Sequence, residues 1–307
     1  MAADPRASEQ AGLAGDRLGL AIGLASPVFL AFVPILIALG FEGGVAVIPL
    51  VTARTAFAAL AAWTLVAGSG RLRRPFELDP PLLAAAFAGL TIAPLAGFLA
   101  IEELGPTVYA AVFFLHVPLL ALTVPLLHGA APRPASVVTA CTCVLGVALV
   151  SGLPSSPGVV TGLGLAAALL NAVAFVAMAL ILHRRGGTFD AMRFNAEAMT
   201  LALGVFLVIY VVAYADEPLT GHAILISALV AVVAWLPGRL LWTLSVQRLG
   251  ARAAGTLTSL QPMLVAILGA ILLNDALGTS QWTGIAVICG SVAAAQRFDE
   301  TVAEREV

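Results

Sequence analysis

The chain contains no lysine: all 15 of its basic residues are arginine. Together with its high alanine content, this usage suggests a GC-rich bacterial genome. Charge of either sign is scarce, at 10% of residues. The arginines never gather into a basic stripe, which argues against nucleic acid as a partner. The net charge of −2 points to no partner class. Cysteine is limited to Cys141, Cys143 and Cys289, all inside apolar runs. A C-x-C spacing on a helix turns two thiols to different faces, so these read as apolar filler and no metal site is expected. There is no H-E-x-x-H, no paired-aspartate motif and no Ser/His dyad within a span. An intramembrane enzyme is therefore disfavoured, and neither catalytic residues nor a cofactor are expected.

What the chain has instead is apolar length. It is 61% hydrophobic over 307 residues, with a mean hydropathy of +1.03. A soluble domain could not hide that surface, so the sequence predicts an all-α integral membrane protein. Runs long enough to cross a bilayer fall near 18–40, 46–68, 81–101, 107–127, 136–152, 160–183, 194–214, 222–246, 253–273 and 280–296, giving ten spans. The loop arginines settle the orientation. Arg6 and Arg17 precede the first span, Arg71, Arg73 and Arg74 follow the second, and Arg133 follows the fourth. Arg184, Arg185 and Arg193 follow the sixth, Arg248 and Arg252 the eighth, and Arg297 and Arg305 the tenth. The remaining loops carry only acids: Glu42, Glu102, Glu103, Asp216, Glu217 and Asp275. By the positive-inside rule both termini are cytoplasmic, in a bacterial inner membrane. Residues 1–17 lack the basic n-region of a cleaved signal and, like 298–307, are expected to be irregular cytoplasmic tails.

The chain also repeats itself. Leu104–Gly152 and Leu249–Ala295 share one layout, and placing Pro118 on Pro262 puts Gly146 on Gly290 without a gap. Two units follow, 18–152 and 160–297, joined by a Pro/Ser-rich linker at 153–159. Each would hold five spans, an odd number, so the second must enter the membrane from the opposite side. The charges agree with that inversion. Glu102-Glu103 stands where the second unit has Gln247-Arg248, and Arg71, Arg73 and Arg74 stand where it has Asp216-Glu217.

The run LQPMLVAILGAILLNDALGTSQWTGIAVICGSVAAA, with Pro262 opening the ninth span, Asp275 ending it and Gly284 and Gly290 in the tenth, resembles the closing motif of EamA-type domains in the drug/metabolite transporter superfamily. Pro118 and Gly146 repeat the pattern, and LSVQRLGARAAGTL resembles the usual approach to the ninth helix. The resemblance implies a ten-helix transporter with a cavity walled mainly by helices 1, 3, 4, 6, 8 and 9. It also implies a small-molecule substrate, with export of amino acids or related metabolites common among relatives. Where the family usually has Gly-Glu after the ninth helix, this chain has Asn274-Asp275.

Several polar residues within the spans are candidates for the work. Arg239 sits mid-span with Trp235 at i−4 and Trp242 at i+3, on one face. A buried arginine costs several kcal/mol unless it meets an anion or water, so it reads either as a carboxylate clamp or as a structural brace. His116 could carry a coupling proton, or could simply bond the carbonyl that Pro118 frees. Ser26, Asn171 and Gln261, with Thr91, Tyr109 and Phe113, could read substrate groups or satisfy one another between helices. Pro94, Pro118, Pro237 and Pro262 interrupt helices and are candidate hinges. Arg54, nearer the outer surface, reads better as a snorkelling brace. Glu197 could carry a proton but more simply pairs with Arg193 at i−4.

The first span has no acid between Asp16 and Glu42, which disfavours a cation/proton drug antiporter of the small multidrug type. The expectation is thus a secondary transporter of a small organic metabolite, such as an amino acid or other carboxylate, working as an exporter by alternating access. Drug or cation efflux, or a non-transporting scaffold or channel, is the alternative. The partners expected are the substrate, the lipid bilayer and, as a homodimer, a second copy.

Overall fold

In the computed structural model the backbone is described for 5–70, 78–127, 129, 131–150, 160–186, 188–217 and 219–303, and side chains from Leu18 onward apart from scattered positions. The linker at 153–159 and Arg71, Arg73 and Arg74 lie outside the described residues, as do the side chains of Arg6, Arg17, Arg252, Arg297 and Arg305. Among the described residues the fold is all helix. Ten segments run in order: α1 (Pro5–Phe41), α2 (Val47–Gly68), α3 (80–104), α4 (106–127), α5 (Pro134–Val150), α6 (Gly162–Arg185), α7 (Ala191–Ala213), α8 (221–249), α9 (251–272) and α10 (Thr279–Ala303). Six helical stretches are long and apolar enough to cross a membrane. One of these, Pro80–Leu127, has 48 residues. As a straight rod it would reach about 70 Å, far more than one bilayer needs.

That stretch is two helices. Gly105 leaves the helical region at φ 74°, ψ 166°, and Gly250 does the same between α8 and α9 at φ 82°, ψ 163°. Such a conformation is essentially reserved for glycine. The chain folds back at each. A Cβ placed on Gly97 of α3 would lie 3.2 Å from the hydroxyl of Tyr109 in α4, and one on Gly23 of α1 would meet both Ser245 and Leu257, on either side of Gly250.

Other interruptions recur at the same register. α3 contains a π-turn at Phe87–Ile92 and α8 one at Val230–Trp235. The amide of Ala93 bonds the Ala88 carbonyl, and that of Leu236 the Ala231 carbonyl, five residues back. Each turn is followed two residues later by a proline, Pro94 or Pro237. A proline withdraws a donor from the i→i−4 ladder, and a π-turn is a local way for the helix to step past it. α4 breaks at Phe114-Leu115 ahead of Pro118, and α9 narrows to a 3₁₀ turn at Thr258–Leu260 ahead of Pro262. All four expected hinge prolines therefore stand at real irregularities.

Starts are set by side-chain caps. Asp79, Thr161, Asp190 and Thr220 accept from the backbone amides of Leu82, Gly164, Met192 with Arg193, and Ala223. Packing is reciprocal: α1 lies on α8 and α9, α6 lies on α3 and α4, α2 pairs with α7, and α5 with α10. Replacing each helix by the one five places along reproduces the same set. α5 and α10 cross at glycine, where a Cβ on Gly284 would stand 2.6 Å from the Gly146 carbonyl oxygen. Gly290, the expected counterpart of Gly146, has nothing within 4 Å. The close crossing thus uses Gly284. The outer faces carry Leu60, Val138, Val208 and Val212, all strongly exposed, as a lipid-facing surface requires.

The expected irregular tails are corrected in part. Residues 5–17 extend α1, and α10 continues to Ala303. The first carries Ala7, Glu9, Gln10, Ala11 and Ala14, good helix formers, and neither stretch has a proline after Pro5.

Candidate functional site

α1, α2, α3, α4, α6, α8 and α9 enclose one central cavity, with about 100 Å³ open to the centres of water-sized spheres, room for several waters. The prolines and π-turns border it: Pro34 and Pro94 line the wall, and so does Trp235 at the end of the α8 π-turn. Freed backbone groups at membrane depth are tolerated where they face protein or a water-filled space, which explains why the broken helices turn inward.

Two guanidinium groups dominate the cavity. Arg239 is 4% exposed, and its guanidinium carbon lies 4.7 Å from the Trp242 ring centre and 5.5 Å from that of Phe175, with Met178 Sδ also in contact. Arg54 is 2% exposed and lies 5.0 Å from Trp235 and 5.5 Å from Phe98. Both therefore sit against aromatic rings, a cation–π arrangement worth more where water is excluded. Among the described residues, Arg54 Nε and Nη1, Arg239 Nε and Trp242 Nε1 are buried donors without a partner. Among the described residues no Asp or Glu lines the cavity.

The placement of Arg54 corrects the sequence expectation of an outer brace. It points inward, and it is Arg54, not Arg239, that covers Trp235. Trp235, Arg239 and Trp242 do share the cavity-facing side of α8, but the spacing along one helix cannot show that a guanidinium from α2 covers Trp235. A helix that is apolar all round, such as α2, gives no phase from which to read where Arg54 points. One signal was available: Thr52 and Thr55 flank it, and both are buried.

Behind the arginines stands an aromatic wall. Tyr109 stacks on Phe113 at 5.8 Å, Phe113 meets His116 at 4.6 Å and Phe175 at 5.3 Å, and Phe175 meets Trp242 at 4.6 Å. Asn171 Nδ2 donates to the Tyr109 hydroxyl at 2.9 Å. His116 Nδ1 donates to the Phe113 carbonyl at 2.8 Å, and Nε2 faces Thr258 Oγ1 at 3.4 Å. The carbonyl used is that of Phe113; that of Phe114, four residues before Pro118, accepts from the Val117 amide where the chain turns at 114–115. Thr258 itself donates to the Gly255 carbonyl at 2.5 Å. Gln261 completes this side of the wall.

Three sequence candidates lie outside the cavity lining. The Ser26 hydroxyl donates to the Gly238 carbonyl at 2.9 Å, tying α1 to α8. Thr91 is buried beside the α3 π-turn, and its hydroxyl finds no partner among the described residues. Glu197 accepts from Arg193 Nε at 2.7 Å, and the two side chains are 2% and 7% exposed. That pair borders a separate, polar pocket with Arg185 and Asp190 at the opposite end of α7 from the loop to α8.

The comparisons with known proteins fit a membrane bundle of this kind. Residues 162–295 match the model of the EamA-like transporter family. No curated protein matches the chain by sequence. Among solved structures, one described only as the crystal structure of a protein superposes with a TM-score of 0.75. The match covers 92% of this chain and 98% of that one, at 17% identity, so the likeness is one of fold.

Proposed function

We propose that this chain, whose residues 162–295 match the EamA-like transporter family, is a multi-pass secondary transporter exporting a small organic metabolite, an amino acid or other carboxylate, by alternating access. The observation carrying this reading is the central cavity, walled by broken helices drawn from both sequence repeats, with Arg239 exposed to it as an anion clamp. Two five-helix units of opposite orientation, 18–152 and 160–297, would rock against each other about that site. The reciprocal packing and the matched irregularities support the inversion, and the arginine-rich loops support cytoplasmic termini in a bacterial inner membrane.

In that orientation the cavity occupies the outer half of the bundle. Ile37 and Ile101, near the outer ends of α1 and α3, line it. The cytoplasmic half is closed. Asn195 Nδ2 donates to Thr243 Oγ1 at 3.2 Å, Gln247 Nε2 to the Phe189 carbonyl at 2.8 Å, and Arg185 pairs with Asp79. Cytoplasmic opening would exchange those polar contacts for water while the outer halves of α1, α3 and α4 close. Candidate hinges for that exchange are Pro94, Pro118, Pro237 and Pro262. His116, bridging the break in α4 to that in α9 through Thr258, is the candidate for proton coupling.

The test is counterflow in proteoliposomes holding the purified protein, offered labelled amino acids and carboxylic acids. Saturable exchange is expected, and Arg239→Ala should abolish it. Unchanged flux of an anionic substrate in that variant would remove the clamp.

A further inference from the structure

Accepting the transporter reading, we infer that the cavity selects a small organic dianion bearing its two negative groups at separate ends and no ammonium group. Charge accounting carries this. Arg54 and Arg239 are both buried, both keep their charge as arginines do, and they repel each other across the cavity. Three of their N–H groups have no partner among the described residues. Among the described residues no carboxylate lines the space. Thr107 holds Asp275 elsewhere at 3.3 Å, and Glu197 is committed to Arg193.

Each class of ligand leaves a different remainder. A cation would add a third positive charge. An amino-acid zwitterion would answer one guanidinium with its carboxylate and then place an ammonium beside the other. Aromatic faces can hold an ammonium, but here Phe98, Trp235, Phe175 and Trp242 already hold the guanidiniums. A monocarboxylate leaves one buried charge unanswered. A dianion cancels both, and the unpartnered N–H groups supply charge-assisted hydrogen bonds at each end.

Geometry favours two separated anionic groups over one compact one. Arg54 rests on Trp235 and Arg239 on Trp242, seven residues apart on α8, about 10 Å along a helix. The wall between and around them is apolar, with Ile37, Pro34 and Phe113, and suits a short carbon body. The arrangement matches a dicarboxylate better than a phosphate.

The full-length protein can be titrated in detergent, following tryptophan fluorescence and thermal unfolding. Trp235 and Trp242 lie directly against the guanidiniums and report on occupancy. The probes are succinate, glutarate, methyl phosphate, acetate and phenylalanine. Succinate or glutarate should give a saturable signal and raise the unfolding temperature, with the other three at least tenfold weaker. Arg54→Gln and Arg239→Gln should each lower succinate affinity to that of acetate. Both should unfold no earlier than the parent without ligand, because each removes one of two repelling charges, so a folding defect is told apart from a lost contact. Phenylalanine binding as tightly as succinate would overturn the dianion while leaving a transporter, and so would succinate binding that survives in Arg54→Gln. Methyl phosphate binding as tightly as glutarate would overturn the separation of the two charges. If no labelled metabolite shows saturable counterflow, the transporter reading fails as well.

Discussion

The side-chain amide of Asn171 donates a 2.9 Å hydrogen bond to the hydroxyl of Tyr109, and Gly97 runs so close beneath that a Cβ there would press on both groups. One polar contact therefore fixes the aromatic wall, and it depends on a missing side chain. Tyr109→Phe should cost about 1–2 kcal/mol by leaving a buried amide donor unpaired. Gly97→Ala should displace the ring and weaken substrate affinity more than Tyr109→Phe does. Thermal unfolding in detergent and the KM for counterflow check both.

Gly105 adopts φ 74°, ψ 166° with open space around its would-be Cβ. Gly105→Ala should therefore register backbone strain alone, about 1–3 kcal/mol of destabilisation. Gly204, within α7 and equally open, is the control. Alanine there should stabilise by up to about 1 kcal/mol. Opposite signs in one denaturation series would establish that the fold-back is made by backbone conformation.

Glu197 and Arg193 form a buried pair on one face of α7, away from the cavity. Glu197→Gln should cost about 1–3 kcal/mol by removing the buried negative charge that faces Arg193. In whatever fraction folds, the pH profile of transport should be unchanged. A flattened profile with normal stability would instead make Glu197 a proton carrier.

His116 Nδ1 donates to the Phe113 carbonyl, and Nε2 faces Thr258 Oγ1, whose own proton goes to the Gly255 carbonyl. If it carries the coupling proton, His116→Gln should leave substrate binding within a few-fold and remove the dependence of counterflow on an imposed pH gradient. A gradient dependence that persists would exclude the histidine.

Gly284→Ala would drive a methyl group against the Gly146 carbonyl and the Val150 amide, at 2.6 and 2.8 Å. A loss of about 1–3 kcal/mol is expected from overpacking against backbone that cannot swing away. Gly290→Ala should be neutral or better, since nothing lies within reach. Equal effects at the two glycines would contradict the crossing.

Much of the helical architecture was legible in the sequence because apolar runs and prolines each act locally. Pro94, Pro118, Pro237 and Pro262 mark interruptions wherever they occur, since a missing N–H disturbs any helix. Facing was the part that could not be read. Arg54 lies on a helix with no amphipathic phase, Ser26 looks like a ligand group until the Gly238 carbonyl is seen beside it, and Trp235 is covered by an arginine from another helix. Nor does spacing distinguish Gly284 from Gly290. Only the neighbouring helix decides which one is crossed.

The meeting of Gly146 with Gly284 has a mechanical corollary. Two rods packed main chain to main chain have nothing pliable between them, so under the proposed alternating access α5 and α10 would travel as a single strut and the swing would belong to the other eight helices. Cys143 Sγ already lies 3.3 Å from Ser291 Oγ across that joint. A covalent bolt made there by Ser291→Cys, with Cys141 and Cys289 replaced by alanine, would lock the strut and leave turnover running.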